Sequence, residues 1–145
     1  MRRRAFLLVV ALLPTFRPDA STAADTVACA DARQVRDVVE AQLDAFARDD
    51  AGRAFSYAAP SIRAMFGDAE RFMAMVRRSY PVVYRPASVA FLVPEVDGEE
   101  IVQPVHFTDA QGTLWLAVYR LQRQRDRSWR ITGCALAPSS GQTTT

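Results

Sequence analysis

The chain has no lysine, one histidine and two cysteines among its 145 residues. One histidine and two distant cysteines do not have the spacing of a zinc site, so we expect neither a metal ion nor another cofactor. The sequence also lacks a glycine-rich phosphate loop and a serine in a nucleophile elbow. These absences leave the catalytic residues unknown. They do not by themselves exclude an enzyme, and the sequence as a whole leans toward a protein that is not one.

A long apolar run is also missing. The basic residues of Met1–Arg4 are followed by only nine apolar residues, Ala5–Leu13, which are too few to span a bilayer. A basic start, a short apolar run and small residues at Thr22 and Ala24 are typical of an export signal. We therefore predict a signal peptide over residues 1–24 and a mature protein that is periplasmic or secreted. The arginine pair leaves the general secretory and the twin-arginine routes both open.

The excess of positive charge belongs to this signal. The full chain carries 18 arginines and 16 carboxylates, whereas cleavage after Ala24 leaves 14 arginines against 15 carboxylates, a net charge of about −1. A nucleic-acid-binding protein would keep a basic surface, so the sequence disfavours a nucleic-acid partner. No other segment is apolar for long enough to act as a stable membrane anchor after cleavage.

The two cysteines fit an exported protein. Cys29 precedes the first predicted helix and Cys134 lies in the last predicted strand, and an oxidising compartment would permit a disulfide between them. The alternative is two unpaired small residues, because the sequence does not place their Cα atoms within bonding distance. The Cys29 to Cys134 bridge is therefore a hypothesis.

Apolar residues recur at helical spacing in the first half of the chain. Asp31 predicts the start of a first helix, the Asp49-Asp50 pair the start of a short second one, and Ser61–Phe66 a further turn. Asp68 caps an amphipathic helix that ends at the next proline. The segment Tyr80–Pro86, with its two prolines, is predicted to be a stiff connector into the second half.

From Ala87 the apolar spacing changes to two, which indicates antiparallel strands. The predicted strands cover residues 87–96, 100–109, 113–124 and 128–137. Pro104 indicates an edge strand or a bulge. The predicted fold is α+β, with N-terminal helices packed on a curved four-stranded antiparallel sheet. We predict a single domain over residues 25–137 and a disordered tail over 138–145.

The third predicted strand is apolar on both faces near its start. Trp115, Ala117 and Tyr119 alternate with Leu114, Leu116 and Val118. A sheet covered on one side only should present polar residues on its other side. The pattern therefore predicts that a second copy of the chain covers the outer face, which gives a homodimer through the sheet.

Three blocks of sequence carry a family resemblance: AFSYAAPSIRAMFGDAERFMAMVRRSYPVVYRP, FTDAQGTLWLAVYRLQRQ and SWRITGC. They resemble a bacterial family of domains of unknown function, number 4864. That family is placed in the nuclear transport factor 2-like superfamily, whose fold is a cystatin-like cone of curved sheet and helices. The resemblance implies such a cone, often with a pocket, and it supplies no catalytic residues because the family is uncharacterised.

Aromatic rings and one arginine form the candidate ligand site. An apolar ligand that bears an anionic group would suit amphipathic rings beside a fixed cation. The candidate residues are Tyr80, Tyr84, Arg85, Trp115, Tyr119 and Trp129. The alternative is plain core packing, with Arg85 in a structural ion pair that ties the connector to a helix carboxylate.

Three function classes remain open from the sequence. The first is a ligand-binding or protein-interaction module for a small apolar or anionic ligand. The second is a structural accessory protein of the cell envelope. The third is a cone-type lyase or isomerase that uses acid-base chemistry in the pocket. An acid beside a tyrosine or histidine in an enclosed pocket would favour the enzyme, and a collapsed apolar cone would favour the accessory role.

Overall fold

The computed structural model describes residues 26–139. Its five helices are α1 (Cys29–Ala47), α2 (Ala51–Ser56), α3 (Pro60–Phe66), α4 (Ala69–Ser79) and α5 (Pro81–Tyr84). The five strands that follow are β1 (Ser88–Phe91), β2 (Glu95–Asp97), β3 (Glu100–Thr108), β4 (Leu114–Arg123) and β5 (Trp129–Pro138). The predicted signal peptide over 1–24 and residues 140–145 of the predicted tail lie outside the described residues. The architecture is α+β, as predicted.

The strands form one open antiparallel sheet. β1 and β2 both pair with β3, β3 pairs with β4, and β4 pairs with β5. The predicted number of four strands is wrong, because the predicted first strand, residues 87–96, is two strands separated by residues 92–94. Both short strands lie along the same edge of β3.

The interruption between β1 and β2 faces a proline on β3. Pro104 accepts a hydrogen bond through its carbonyl oxygen from the N–H of Leu92 at 3.0 Å, so its missing N–H points toward the same interruption. Gln103, only 1% exposed, donates from Nε2 to the carbonyl oxygens of Leu92 (2.8 Å) and Pro104 (2.9 Å). Pro104 thus lies within an interior strand, and the neighbouring strand is broken instead.

Two predicted helix boundaries differ from the structure. α1 begins after Ala28, and Asp31 lies in its first turn, where it forms an ion pair with Arg123 instead of capping the helix. The predicted stiff connector begins with α5, because Pro81 occupies the first helical position, where its missing N–H costs nothing. Proline therefore ends one helix here and starts the next.

Two predicted caps are confirmed. The Asp50 carboxylate accepts a hydrogen bond from the backbone N–H of Arg53 at 3.0 Å at the start of α2. The Asp68 carboxylate accepts from the backbone N–H of Arg71 at 2.8 Å at the start of α4. Each cap satisfies a backbone donor that the first helical turn leaves free.

The core lies between the helices and one face of the sheet. α1 contributes Val35, Val39 and Phe46, and α4 contributes Phe72, Met73 and Val76. The inner face of the sheet contributes Ile101, Val105, Phe107, Ala117, Tyr119, Leu121, Trp129 and Ile131. The alternation predicted for β4 is confirmed for its buried face, and none of the helices within residues 26–139 has the length and apolar character needed to cross a bilayer.

A bulge bends the last pair of strands. The pairing of β4 with β5 shifts between Arg120 and Leu121, so that Thr132 is the extra residue on β5. The Thr132 hydroxyl donates to Glu100 at 2.7 Å on the outer face. A bulge strengthens the local twist of a sheet and often lies next to a site. Here it lies beside the opening described next.

Candidate functional site

A pocket opens between α3, α4 and the inner face of β5. Its volume is about 280 Å³, which is close to the lower end of the range for small-molecule sites. It is lined by Gln42, Phe46, Ala58, Ile62, Met65, Phe66, Phe72, Met75, Val76, Tyr80, Val83, Tyr119, Ile131, Gly133 and Cys134. Most of these side chains are apolar, and none of them carries a charge at neutral pH.

One wall of the pocket is a cluster of phenylalanines around α4. Phe72 lies at its centre, with ring centroids 6.1 Å from Phe46, 5.5 Å from Phe55 and 5.6 Å from Phe66. The Phe66 ring meets Phe72 edge to face. Offset and edge-to-face pairs are favourable arrangements of aromatic rings. This wall is therefore part of the core as well as of the pocket.

α3 forms a second side of the pocket and is less buried than α4, although its Phe66 belongs to the phenylalanine cluster. None of its seven residues is buried, although Ile62, Met65 and Phe66 line the pocket. Met65 is 73% exposed. An apolar helix face that meets a cavity in place of a packed neighbour leaves contact area unused, and a ligand between α3 and α4 would use it.

Three polar groups of the pocket lie close together on its sheet side. The Tyr80 hydroxyl donates to the carbonyl oxygen of Cys134 at 3.2 Å. Tyr119 and Cys134 are direct cross-strand partners, and the Tyr119 hydroxyl is buried without a hydrogen-bond partner in residues 26–139. Burial raises the pKa of Tyr80 above its ordinary value, the pKa of Tyr119 well above it, and the pKa of Cys134 to about 12. All three groups therefore stay protonated at neutral pH.

The structure brings only two of the six predicted site residues into the pocket. Tyr80 and Tyr119 line it, whereas Trp115 and Trp129 do not. Trp115 donates from Nε1 to the Asp109 carboxylate at 3.0 Å, which supports the turn between β3 and β4. Trp129 is 6% exposed and lies under the Arg123 guanidinium, 4.9 Å from the ring centroid.

Tyr84 and Arg85 lie in a separate charged network. Arg85 binds the Asp49 carboxylate at 3.0 Å and the Phe46 carbonyl oxygen at 2.8 Å. Asp49 also accepts from the Tyr84 hydroxyl and from Arg77 at 3.1 Å. These hydrogen bonds, that of Tyr84 foremost and then that of Arg77, hold the pKa of Asp49 below its ordinary value. Arg85 therefore forms the structural ion pair that is the alternative to ligand binding. Its partner, Asp49, lies in the turn after α1.

Sequence reasoning did not include the residues of α3 and α4 in the site. Met65, Met73 and Met75 have the same helical spacing as core residues, yet Met73 is buried while Met65 and Met75 line the pocket. The spacing of apolar residues marks the inward face of a helix. It does not distinguish a face that packs from a face that meets a cavity.

The two cysteines are free in the structure. Cys29 is exposed at the start of α1, and Cys134 is half-buried in the pocket wall. The structure therefore does not show the hypothesised Cys29 to Cys134 bridge. The described residues also contain no cluster of histidine, cysteine or acidic side chains that would hold a metal ion.

Helices over one face of an open antiparallel sheet, with an uncharged pocket between them, place this chain among small α+β proteins. The chain matches the family described as a domain of unknown function (DUF4864) over residues 28–144. The match covers most of the chain, so the protein belongs to this family, and the resemblance seen in the three sequence blocks is confirmed. A comparison with curated proteins finds no match.

Proposed function

We propose that the protein is a ligand-binding module that holds a small, mainly apolar and uncharged molecule in the pocket between α3, α4 and β5. The observation that carries this proposal is the composition of the pocket wall. Aromatic and aliphatic side chains line an open volume of about 280 Å³, and the polar groups of Tyr80, Tyr119 and Cys134 lie together on its sheet side. Small-molecule sites have this combination of an apolar lining and few polar groups.

The charge distribution favours an uncharged ligand over an anionic one. Arg85 was the predicted partner of an anionic group, but it does not line the pocket, and its guanidinium is occupied by Asp49 and Phe46. An ionised carboxylate in an apolar pocket without a cation would lose its hydration without compensation. We therefore narrow the ligand class from apolar or anionic to apolar and uncharged.

The composition of the pocket wall also disfavours the two other function classes, the cone-type enzyme and the accessory protein. No carboxylate or imidazole lies among the lining residues within 26–139, whereas the enzyme class predicts an acid beside a tyrosine or histidine in the pocket. A purely accessory role predicts a collapsed, wholly apolar interior. An open pocket with hydroxyl groups on its sheet side favours binding over both.

Binding to matched probes tests the proposal. Two uncharged probes, 2-isopropylnaphthalene and 2-acetonaphthone, and the anion 2-naphthoate are titrated against the purified protein by equilibrium dialysis. We expect the uncharged probes to bind and 2-naphthoate to bind at least tenfold more weakly, about 1.4 kcal/mol. Saturable binding of 2-naphthoate alone would contradict the proposal.

Two substitutions on α3 locate the binding. Ile62→Trp places a large side chain in the pocket, because Ile62 lines it. Ala64→Trp places the same side chain on an exposed position of α3 that does not line the pocket. We expect Ile62→Trp to abolish probe binding and Ala64→Trp to leave it within twofold of the wild type. Equal affinities for the two variants would place the probe elsewhere.

We further propose that the fold is the nuclear transport factor 2-like cone that the family resemblance implies. Support comes from the helices on the inner face, the bulge that bends β4 and β5, and the pocket between the two layers. An experimental structure in which the sheet closes round the helices as a cone would support this placement. A flat sheet would contradict it.

Export of the protein is a proposal as well. It rests on the basic start, the short apolar run and the small residues before Ala24. Mass spectrometry of the protein recovered from the periplasm or the medium tests it. We expect a chain that begins at Asp25, and a chain that retains Met1 would refute the signal peptide.

Self-association through the outer sheet face is the remaining proposal. Ala90, His106, Leu116 and Ala137 form one cross-strand row on this face. Arg120 beside them pairs with Asp97 and Glu100. A border with both signs of charge suits the two-fold packing of a second copy, because each sign can meet its opposite. Leu116→Lys should then give folded monomers in sedimentation, and a monomeric wild type would end the idea.

A further inference from the structure

We infer that the pocket selects ligands that carry an uncharged hydrogen-bond acceptor, such as a ketone or ether oxygen, which binds the hydroxyl group of Tyr119. This inference rests on the proposed function, because it specifies which uncharged molecules the pocket prefers. Its basis is a polar group in the wall of the pocket that has no hydrogen-bond partner within residues 26–139.

Tyr119 is the unsatisfied donor of the pocket. Its side chain is 1% exposed and lines the pocket from the centre of β4. Its hydroxyl has no hydrogen-bond partner within residues 26–139. Buried polar groups nearly always have a partner in native proteins, and each exception calls for a physical reason. An acceptor on a bound ligand supplies that reason.

The neighbouring polar groups already use their protons. Tyr80 donates to the Cys134 carbonyl oxygen at 3.2 Å, and Gln42 donates from Nε2 to the Ala54 carbonyl oxygen at 3.1 Å. The Cys134 thiol lies beside the Tyr119 hydroxyl and, after burial, contributes to the raised pKa of Tyr119. The contact does not meet full hydrogen-bond geometry, and sulfur is a weak acceptor. Tyr119 is therefore the group in this wall that gains most from an oxygen acceptor.

The other unsatisfied group in the core provides a contrast. Trp129 also has a buried N–H without a partner in the described part of the chain. It does not line the pocket, and the Arg123 guanidinium covers its ring. A ligand in the pocket contacts Tyr119 and not Trp129. Only the Tyr119 hydroxyl can therefore bind an acceptor on that ligand.

The Tyr119 hydroxyl is covered in the structure, although the residue lines the pocket. Its oxygen exposes less than 1 Å² to solvent, so the wall has to move before a ligand oxygen reaches hydrogen-bond distance. Met65 and Met75 line the same pocket, and methionine side chains adapt readily to the shape of a neighbour. Burial also raises the pKa of Tyr119, which keeps the hydroxyl a donor at neutral pH.

A matched pair of probes tests the inference. 2-Acetonaphthone and 2-isopropylnaphthalene have nearly the same shape, but only the ketone has an acceptor. We expect the wild type to bind the ketone about fivefold to tenfold more tightly, the ratio that one net hydrogen bond gives. Tyr119→Phe should remove this preference, while Tyr84→Phe, which removes a hydroxyl that binds Asp49 outside the pocket, should retain it.

The outcomes separate this inference from the proposed function. Equal binding of both probes to the wild type, or a preference that survives Tyr119→Phe, would overturn the inference while the pocket remains a binding site. Failure of both probes to bind would overturn the proposed function itself. If Tyr119→Phe does not fold, the ¹³C resonance of a carbonyl-labelled ketone on the wild type decides instead. A downfield shift on binding supports the hydrogen bond, and an unchanged shift refutes it.

Discussion

Helices α3 and α4 both line one pocket, but they are buried to different extents. α4 buries Phe72, Met73 and Val76, has a side-chain cap at its start and an ion pair from Arg77 near its end. α3 buries none of its residues and has no side-chain cap. α4 is thus fixed in the core, whereas α3 is only partly buried against it, through Ile62 and Phe66.

The difference in burial between α3 and α4 indicates which side of the pocket adapts to a ligand. A segment with few buried apolar contacts opens at a lower free energy than a segment in the core. Ligand entry and adjustment are therefore expected at α3, between Pro60 at its start and Gly67 at its end, where a positive φ of 80° suits glycine. The aromatic wall around α4 then provides a constant surface for recognition.

Truncation of one phenylalanine on each wall should give the largest contrast. Phe72→Ala removes a 6% exposed ring that contacts three others, and we expect a loss of about 3–5 kcal/mol in the free energy of unfolding. Phe66→Ala removes a half-buried ring, with an expected loss of roughly 1–2 kcal/mol. Chemical denaturation measures both. Equal losses would show that α3 is as well packed as α4.

Hydrogen exchange should show the same contrast without a substitution. We expect the backbone amides of α3 to exchange faster than those of α4 by a factor on the order of 100 or more, because local opening of α3 exposes little buried surface. A saturating uncharged probe should slow exchange in α3 more than in α4. Protection that is uniform across the two helices would contradict the comparison.

The ion pair near the end of α4 should make its anchoring depend on pH. The folded protein lowers the pKa of Asp49, so its contribution to stability is present above the unfolded pKa and is lost as the pH falls through the folded value. Asp49→Asn should therefore be less stable than the wild type at pH 7. The two proteins should approach each other in stability below about pH 4. Thermal melts across this range test the expectation, and a difference that persists at low pH would refute it.

The two thiols should give the smallest effect, in their rates of labelling. The labelling of Cys134 reports on the same local opening of the pocket at α3. Cys29 is exposed, whereas Cys134 lies in the pocket wall with a pKa of about 12. At pH 8 its thiolate fraction is on the order of 10⁻⁴, so a thiol reagent should label Cys29 first and Cys134 far more slowly. Filling the pocket should slow the second reaction further. An absence of titratable thiols in protein from the native host would instead support the disulfide.

Much of the fold follows from the sequence because its causes are local. The caps at Asp50 and Asp68 and the change of apolar spacing at Ala87 depend on neighbouring residues. The fifth strand could not be predicted in this way. It exists because Leu92–Pro94 leave the ladder opposite Pro104, and only the pairing of distant strands shows that these segments face each other.

Part of the site could also be predicted, because its causes are local, and the rest depends on distant residues. Alternation in β4 directs Tyr119 inward, and Tyr80 is a candidate because of its amphipathic ring at the start of the connector. The network of Asp49 with Tyr84 and Arg85 joins residues that are 35 and 36 positions apart, so the sequence alone could not decide between a ligand contact and an ion pair. The face of α3 that lines the pocket has the same spacing of apolar residues as a face that packs in the core.

An NMR titration of the ¹⁵N-labelled protein with 2-acetonaphthone shows directly whether the ligand binds in the uncharged pocket. We expect saturable shifts of the amides of Ile62, Val76 and Cys134, which surround the pocket, and little change at Asp49 and Arg85. Shifts centred on Asp49 and Arg85, or no saturable shift at any residue, would contradict the claim that the uncharged pocket is the binding site.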